Sequence, residues 1–199
     1  MFPLRKNNPK RTTQKKLTTY NLYKAALSKD FFYCCGYCGT HHVYYGSGKC
    51  FHIDHFAPKS KFKHLENEYT NLVYSCPTCN IAKSNDWCGN SENELILNGI
   101  GYIEPCDENY SQAFYRDSSG KIKYEDGNLA AKYMYNKLKF GLKRHEVFWL
   151  ADYFYELVPR ISERLKETPD SSPLYNELKT LLLNSIEQMD KYRQLQRES

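Results

Sequence analysis

Cys35-Gly36-Tyr37-Cys38, then Ile53-Asp54-His55, then Cys76-Pro77-Thr78-Cys79-Asn80-Ile81-Ala82-Lys83: two C-x2-C pairs, 37 residues apart, bracket an acid–histidine step. Each C-x2-C turn can present two thiolates to one tetrahedral ion, and two such turns complete its four ligands. A redox dithiol is the rival reading for either pair alone, but two pairs flanking one motif favour zinc. With four cysteines the coordination sphere is closed, so the zinc is expected to be structural, with Cys35, Cys38, Cys76 and Cys79 as its ligands. Cys34 is an alternative to Cys35 that would make a wider turn, while Cys50, Cys88 and Cys106 read as packing residues.

The spacing between the pairs is too long for a simple zinc ribbon and predicts an inserted structural unit. Gly46-Ser47-Gly48 turns the chain between His42-Val43-Tyr44-Tyr45 and Cys50-Phe51-His52-Ile53. The second of these runs reads as a strand ending at Asp54-His55, broken by Pro58. A polar, lysine-dotted loop follows from Phe56 to Tyr69, then a short strand Asn71-Leu72-Val73-Tyr74, and a helix opening near Cys79 and ending near Asn85. The order is strand, loop, strand, knuckle, helix.

Working outward, residues 1–16 carry six lysines and arginines with almost no apolar content, and predict a flexible basic arm, either an unstructured tail or a phosphate-binding one. A short helix is expected over Thr18 to Lys29. Beyond the motif, Gly101-Tyr102-Ile103-Glu104-Pro105 reads as extended, and residues 113–116 and 121–124 as a hairpin turning on Asp117-Ser118-Ser119-Gly120. Helical periodicity then runs over about 128–140, 142–167 and 173–195. Pro159 is expected to kink or divide the middle helix, and Ser172 with Pro173 to start the last. The expected organisation is an arm and short helix at 1–30, a cysteine-bracketed centre with its knuckles at 31–100, and a hairpin with helices at 101–199.

Charge divides the same way. Residues 1–83 hold thirteen Lys/Arg against four Asp/Glu, and residues 84–199 hold fifteen against nineteen, so +9 faces −4 within a total of +5. A basic half around a candidate hydrolytic site suits a polyanion such as DNA or RNA, although lysines also merely solvate surfaces. The start lacks an apolar run of signal-peptide length and no window reaches eighteen apolar residues. A cytoplasmic protein is therefore expected, with its thiols reduced.

Asp54 and His55 carry the chemistry. Phosphodiester hydrolysis needs a nucleophilic water, charge neutralisation on the phosphate and stabilisation of the leaving oxygen. A hard divalent cation on oxygen ligands supplies the last two, and a neutral imidazole takes the water's proton. Asp54 suits the cation, His55 the base, and Asn80 at the head of the helix is a candidate second ligand. In isolation an Asp–His step reads first as an ordinary structural hydrogen bond.

Taken together, Asp54-His55-Phe56-Ala57-Pro58-Lys59-Ser60, Tyr69-Thr70-Asn71-Leu72-Val73 and Cys76-Pro77-Thr78-Cys79-Asn80-Ile81-Ala82-Lys83, preceded by Cys35-Gly36-Tyr37-Cys38-Gly39, closely resemble the HNH endonuclease family. The resemblance implies an α+β fold: a ββα-metal core with zinc knuckles, here followed by a mainly helical C-terminal extension. It implies His55 as general base, Asp54 and Asn80 as ligands of a catalytic Mg2+ or Mn2+, and Asn71 as the asparagine that braces the loop and helps orient the base. It further implies cleavage to 5′-phosphate and 3′-hydroxyl ends, with DNA favoured over RNA. Lys59, Lys61 and Lys83 (and Lys63 beside them) are candidate phosphate contacts, and His52 lies on the strand face of Asp54. The overall layout is similar to the HNH subunit of Septu-type anti-phage systems, which works beside an ATPase. A zinc-finger module that binds nucleic acid or a partner without cutting it is the competing expectation.

Overall fold

The computed structural model describes residues 1–198 and separates into two units, Met1–Leu142 and Lys143–Ser199. The expected boundaries at residues 30 and 100 therefore both fall inside the first unit. In chain order the strands are β1 Phe2–Pro3, β2 His52–His55, β3 Leu72–Ser75, β4 Ile96–Leu97, β5 Ile100–Gly101, β6 Phe114–Arg116 and β7 Ile122–Tyr124. The helices are α1 Lys24–Asp30, α2 Pro77–Lys83, α3 Glu108–Ala113, α4 Leu129–Lys137, α5 Lys143–Lys166 and α6 Pro173–Glu198.

At the centre of the first unit β2 and β3 pair antiparallel, His52 opposite Ser75 and His55 opposite Leu72. All four residues of β3 are buried, whereas β2 exposes His52 and buries Asp54 and His55. The next turn leads straight into α2, where Cys76 is the N-cap, its sulfur accepting from the Cys79 amide at 3.4 Å, and Pro77 occupies the first turn. A proline there costs nothing, because that amide has no partner inside the helix. The strand–loop–strand–helix order expected from the sequence is present. The run His42–Tyr45, however, forms a 3-10 turn and not extended chain.

The basic arm is the main departure from expectation. β1 adds to the β6–β7 hairpin as an edge strand, Phe2 opposite Arg116, and Leu4 is buried. Arg5 donates to the carbonyls of Gly36 (2.6 Å) and Pro105 (2.9 Å) and lies over the Tyr110 ring. Arg11 donates to the Leu72 carbonyl at 2.8 Å and pairs with Glu104 at 2.7 Å. A rigid fork with several donors can satisfy main-chain carbonyls that no regular element reaches. Composition alone cannot distinguish such an arginine from a solvated one.

Downstream elements brace the same centre. Arg116, fully buried on β6, donates to the carbonyls of Cys38 (3.1 Å) and Gly120 (2.7 Å), and the Tyr110 hydroxyl of α3 donates to the Tyr37 carbonyl at 2.7 Å. Trp87 and Tyr102 stack nearly parallel beside Phe56, and Asp86 accepts from the hydroxyls of Tyr102 and Tyr133, tying α4 to the end of the motif.

The second unit is a pair of long helices, α5 and α6, joined by residues 167–172. Phe154 and Tyr192 stack between them with ring planes 9° apart. Pro159 lies inside α5 without dividing it, which leaves a kink as the form of the expectation that the continuous helix allows. Ser172 accepts from the Leu174 amide at 3.3 Å at the start of α6. No helix among the described residues is long and apolar enough to cross a membrane.

Candidate active site and zinc cluster

The four sulfurs of Cys35, Cys38, Cys76 and Cys79 lie within 4.8 Å of one another, all buried, and Cys38 and Cys76 are 3.8 Å apart. A tetrahedron with Zn–S bonds of about 2.3 Å has sulfurs about 3.8 Å apart, so the cluster fits a zinc site. Cys35 and not Cys34 belongs to the set; the Cys34 thiol contacts the Phe32 carbonyl. Hydrogen bonding with Cys35 and Cys38 pushes the Cys76 thiol well up, and burial does the same to Cys79. A cation bound among the sulfurs would offset that cost at Cys76 and Cys79.

Asp54 and His55 lie at the opposite end of the hairpin from Cys76. The Asp54 carboxylate is buried, and both of its partners fall on one oxygen: the Tyr37 hydroxyl donates to Oδ2 at 2.5 Å, and Lys83 Nζ lies 3.2 Å from it. Burial pushes this carboxyl up, while Lys83 and Tyr37 pull it down. Oδ1 makes no hydrogen bond among the described residues.

His55 is held through Nε2, 2.8 Å from the Glu66 carbonyl. A carbonyl only accepts, so Nε2 carries the proton and Nδ1 keeps the lone pair. Burial lowers the pKa of the ring and Lys59 adds to the lowering, against the Glu66 carbonyl, which raises it. The neutral, proton-accepting form is therefore favoured near neutral pH. Tyr20 meets the imidazole edge-on at 4.7 Å, and its hydroxyl accepts from Lys59 at 3.2 Å. Lys59 also pairs with Glu66 at 3.3 Å, so the residue that orients the base also anchors this lysine.

Asp54, His55, Asn80, Lys59 and Tyr20 share one cleft of about 410 Å³. The Asn80 side chain lines it and makes no hydrogen bond among the described residues. Asp54 Oδ1 and the Asn80 amide oxygen are hard neutral or anionic donors of the kind that suits Mg2+ or Mn2+. Two unpartnered oxygens on one cleft fit a divalent cation.

Asn71 lies outside the cleft. Its side chain brackets Ala57, Oδ1 accepting from the Ala57 amide at 2.8 Å and Nδ2 donating to its carbonyl at 2.9 Å, while its own carbonyl accepts from Phe56. It fixes the chain as it leaves His55, and among the described residues its side chain hydrogen-bonds to neither Asp54 nor His55.

Lys83 corrects the sequence expectation most sharply. It is fully buried, its ammonium lying against Asp54 and donating to the His55 carbonyl at 2.9 Å, so it is not placed to meet a phosphate. Lys61 donates to the Trp87 carbonyl and stands outside the cleft lining, as does exposed His52. Of the expected phosphate contacts, Lys59 alone lines the cleft. Tyr20, Tyr37 and Glu66 belong to the site and were not singled out from the sequence. Only Tyr37, lying inside the first C-x2-C, carried any local signal.

Residues 35–86 match the family model of the HNH endonuclease, about a quarter of the chain. The matched stretch contains the four cysteines, Asp54, His55, Asn71 and Asn80. No curated protein matches the chain.

Proposed function

We propose that the chain is a metal-dependent endonuclease that hydrolyses phosphodiester bonds of nucleic acid, DNA in preference to RNA. The observation that carries the proposal is the pairing of a base with its tautomer fixed and two unpartnered oxygen donors on one cleft. His55 Nδ1 accepts a proton from a water, whose oxygen attacks phosphorus as the bond to the 3′-oxygen breaks. Glu66 holds the proton on Nε2, which keeps Nδ1 as the accepting atom throughout. Lys59 at the cleft wall attracts the phosphate, and Tyr20 limits how far the imidazole can rotate. Asp54 and Asn80 would hold the divalent cation, Mg2+ or Mn2+, which when bound neutralises charge on the phosphate and on the leaving oxygen.

The buried Asp54–Lys83 pair favours a second reading. A satisfied ion pair is complete as a structural unit, as a non-catalytic zinc-finger module would require. Incubating the purified, zinc-replete chain with supercoiled plasmid and with structured RNA, in Mg2+ or Mn2+, separates the two. The nuclease reading expects nicking or linearisation stopped by chelator, with nicks that ligase reseals because they carry 5′-phosphate and 3′-hydroxyl ends. Binding without cleavage under every condition favours the module.

A place beside an ATPase in an anti-phage complex is proposed from the sequence layout alone. Cleavage that begins only when the neighbouring gene's product is added supports it, and equal activity with and without that product counts against it.

A further inference from the structure

We propose that Lys83 is an internal counter-cation that holds Asp54 as a one-oxygen ligand and keeps the site folded when no divalent ion is bound. The inference rests on reading Asp54 as a cation ligand and adds a positioning residue to that site.

The placement is unusual for a lysine. Its side chain is entirely buried, and its ammonium touches two consecutive residues of the site: Asp54 through the carboxylate and His55 through the main-chain carbonyl. Tyr102 lies beyond, its ring centroid 5.5 Å from Nζ. A buried ammonium is strongly unfavourable unless it is paired and hydrogen-bonded, and both conditions are met here by groups of the cleft.

Tyr37 reaches the same oxygen from the first cysteine turn. Two donors on Oδ2 leave Oδ1 as the only oxygen of Asp54 directed to a ligand. Asn80 and Lys83 are three residues apart on α2 and so about 60° apart around the helix. The helix thus places Asn80 on the cleft that Asp54 also lines and the Lys83 ammonium against the Asp54 carboxylate. Because the same ammonium holds the His55 carbonyl, Lys83 sets the carboxylate and the main chain of the base together.

The consequence concerns the ion-free protein. With Lys83 in place, the Asp54 charge is balanced whether or not a divalent ion is present, so Mn2+ should add little stability. With Lys83→Met, Asp54 is left as a buried charge that Mn2+ at Oδ1 would relieve.

The test is thermal unfolding of zinc-replete wild type and Lys83→Met, with and without millimolar Mn2+, alongside steady-state cleavage. Expected are a Tm shift by Mn2+ of about 1–2 °C in the wild type and at least about 5 °C in the variant. Expected too is a kcat lower by about 100-fold with KM within about threefold. A Mn2+ shift no larger than that of the wild type, or an unchanged kcat, overturns the proposal. If Lys83→Met yields no folded protein, Lys83→Met/Asp54→Asn decides, because removing both charges leaves neither one stranded. The double variant should fold and hold one zinc, and a double variant as unstable as the single overturns the idea. That readout is folding, so it stands apart from whether the wild type cuts nucleic acid.

Discussion

The two ends of the β2–β3 hairpin are built to opposite rules. At the cysteine end, four buried sulfurs are spaced to close a coordination sphere, and the carbonyls of Gly36, Tyr37 and Cys38 are tied down by Arg5, Tyr110 and Arg116 respectively. At the other end, among the described residues, Asp54 keeps one oxygen without a partner, Asn80 makes no side-chain hydrogen bond, and the His55 ring is fastened through a single nitrogen. The first end is saturated and fixes a frame. The second is left incomplete on the side facing the cleft, and its fixed contacts all come from behind. A site that must bind, release and transfer a proton needs that incompleteness, and the frame makes it affordable.

The comparison breaks most violently at the cysteines. Cys79→Ser should lose the zinc and with it cooperative unfolding of the first unit, since a structural zinc contributes on the order of 10 kcal/mol to small domains. Metal analysis together with near-UV circular dichroism checks this. A variant that loses zinc yet melts as the wild type does would mean that the arginine and tyrosine clamps suffice.

Arg116→Leu comes next. It strands the carbonyls of Cys38 and Gly120 in the core, at about 1–3 kcal/mol for each unsatisfied group. A fall in stability of about 3 kcal/mol in urea unfolding, with zinc still at one per chain, is expected. Asn71→Ala should cost about 2–4 kcal/mol by the same reasoning, because the Ala57 amide and carbonyl both lose their partner. It should also lower kcat by loosening the chain beyond His55, without changing the Mn2+ concentration that half-saturates the reaction.

Asn80→Ala sharpens the contrast from the other side. It removes nothing from the folded frame, so its Tm should match the wild type, while half-saturation by Mn2+ should move up about tenfold, equivalent to about 1.4 kcal/mol. Unchanged Mn2+ dependence would remove Asn80 from the ligand set.

The smallest effect is on pH. Burial, helped by Lys59, lowers the pKa of His55, and the base works only when deprotonated. Activity should therefore rise with pH through a midpoint below that of an ordinary histidine and stay flat above it. Lys59→Met removes a lowering influence, so its midpoint should move to higher pH. A shift to lower pH in the profile of log kcat/KM would contradict the assignment.

How much of this was legible in the sequence follows the same division. Cysteine spacing named all four sulfurs, since a C-x2-C turn is a local geometry. The hairpin and α2 could be read from the Gly, Pro and apolar runs around Asp54. What escaped was long-range. Arg5, Arg11 and Lys83 read as solvated or phosphate-facing because a charge carries no local sign of the carbonyl or carboxylate it will meet. Tyr20 and Glu66 reach His55 from separate segments, and Glu66 does so through its main chain, which residue type cannot reveal. Pro159 is expected to kink or divide α5, and the helix runs through it undivided.

The most direct test compares wild type with His55→Ala at equal zinc content and equal Tm, on supercoiled plasmid in saturating Mn2+. The account predicts a loss of about 10²–10⁴ in kcat, the span that a general base contributes, with the frame intact. Equal cleavage by the two proteins would contradict it.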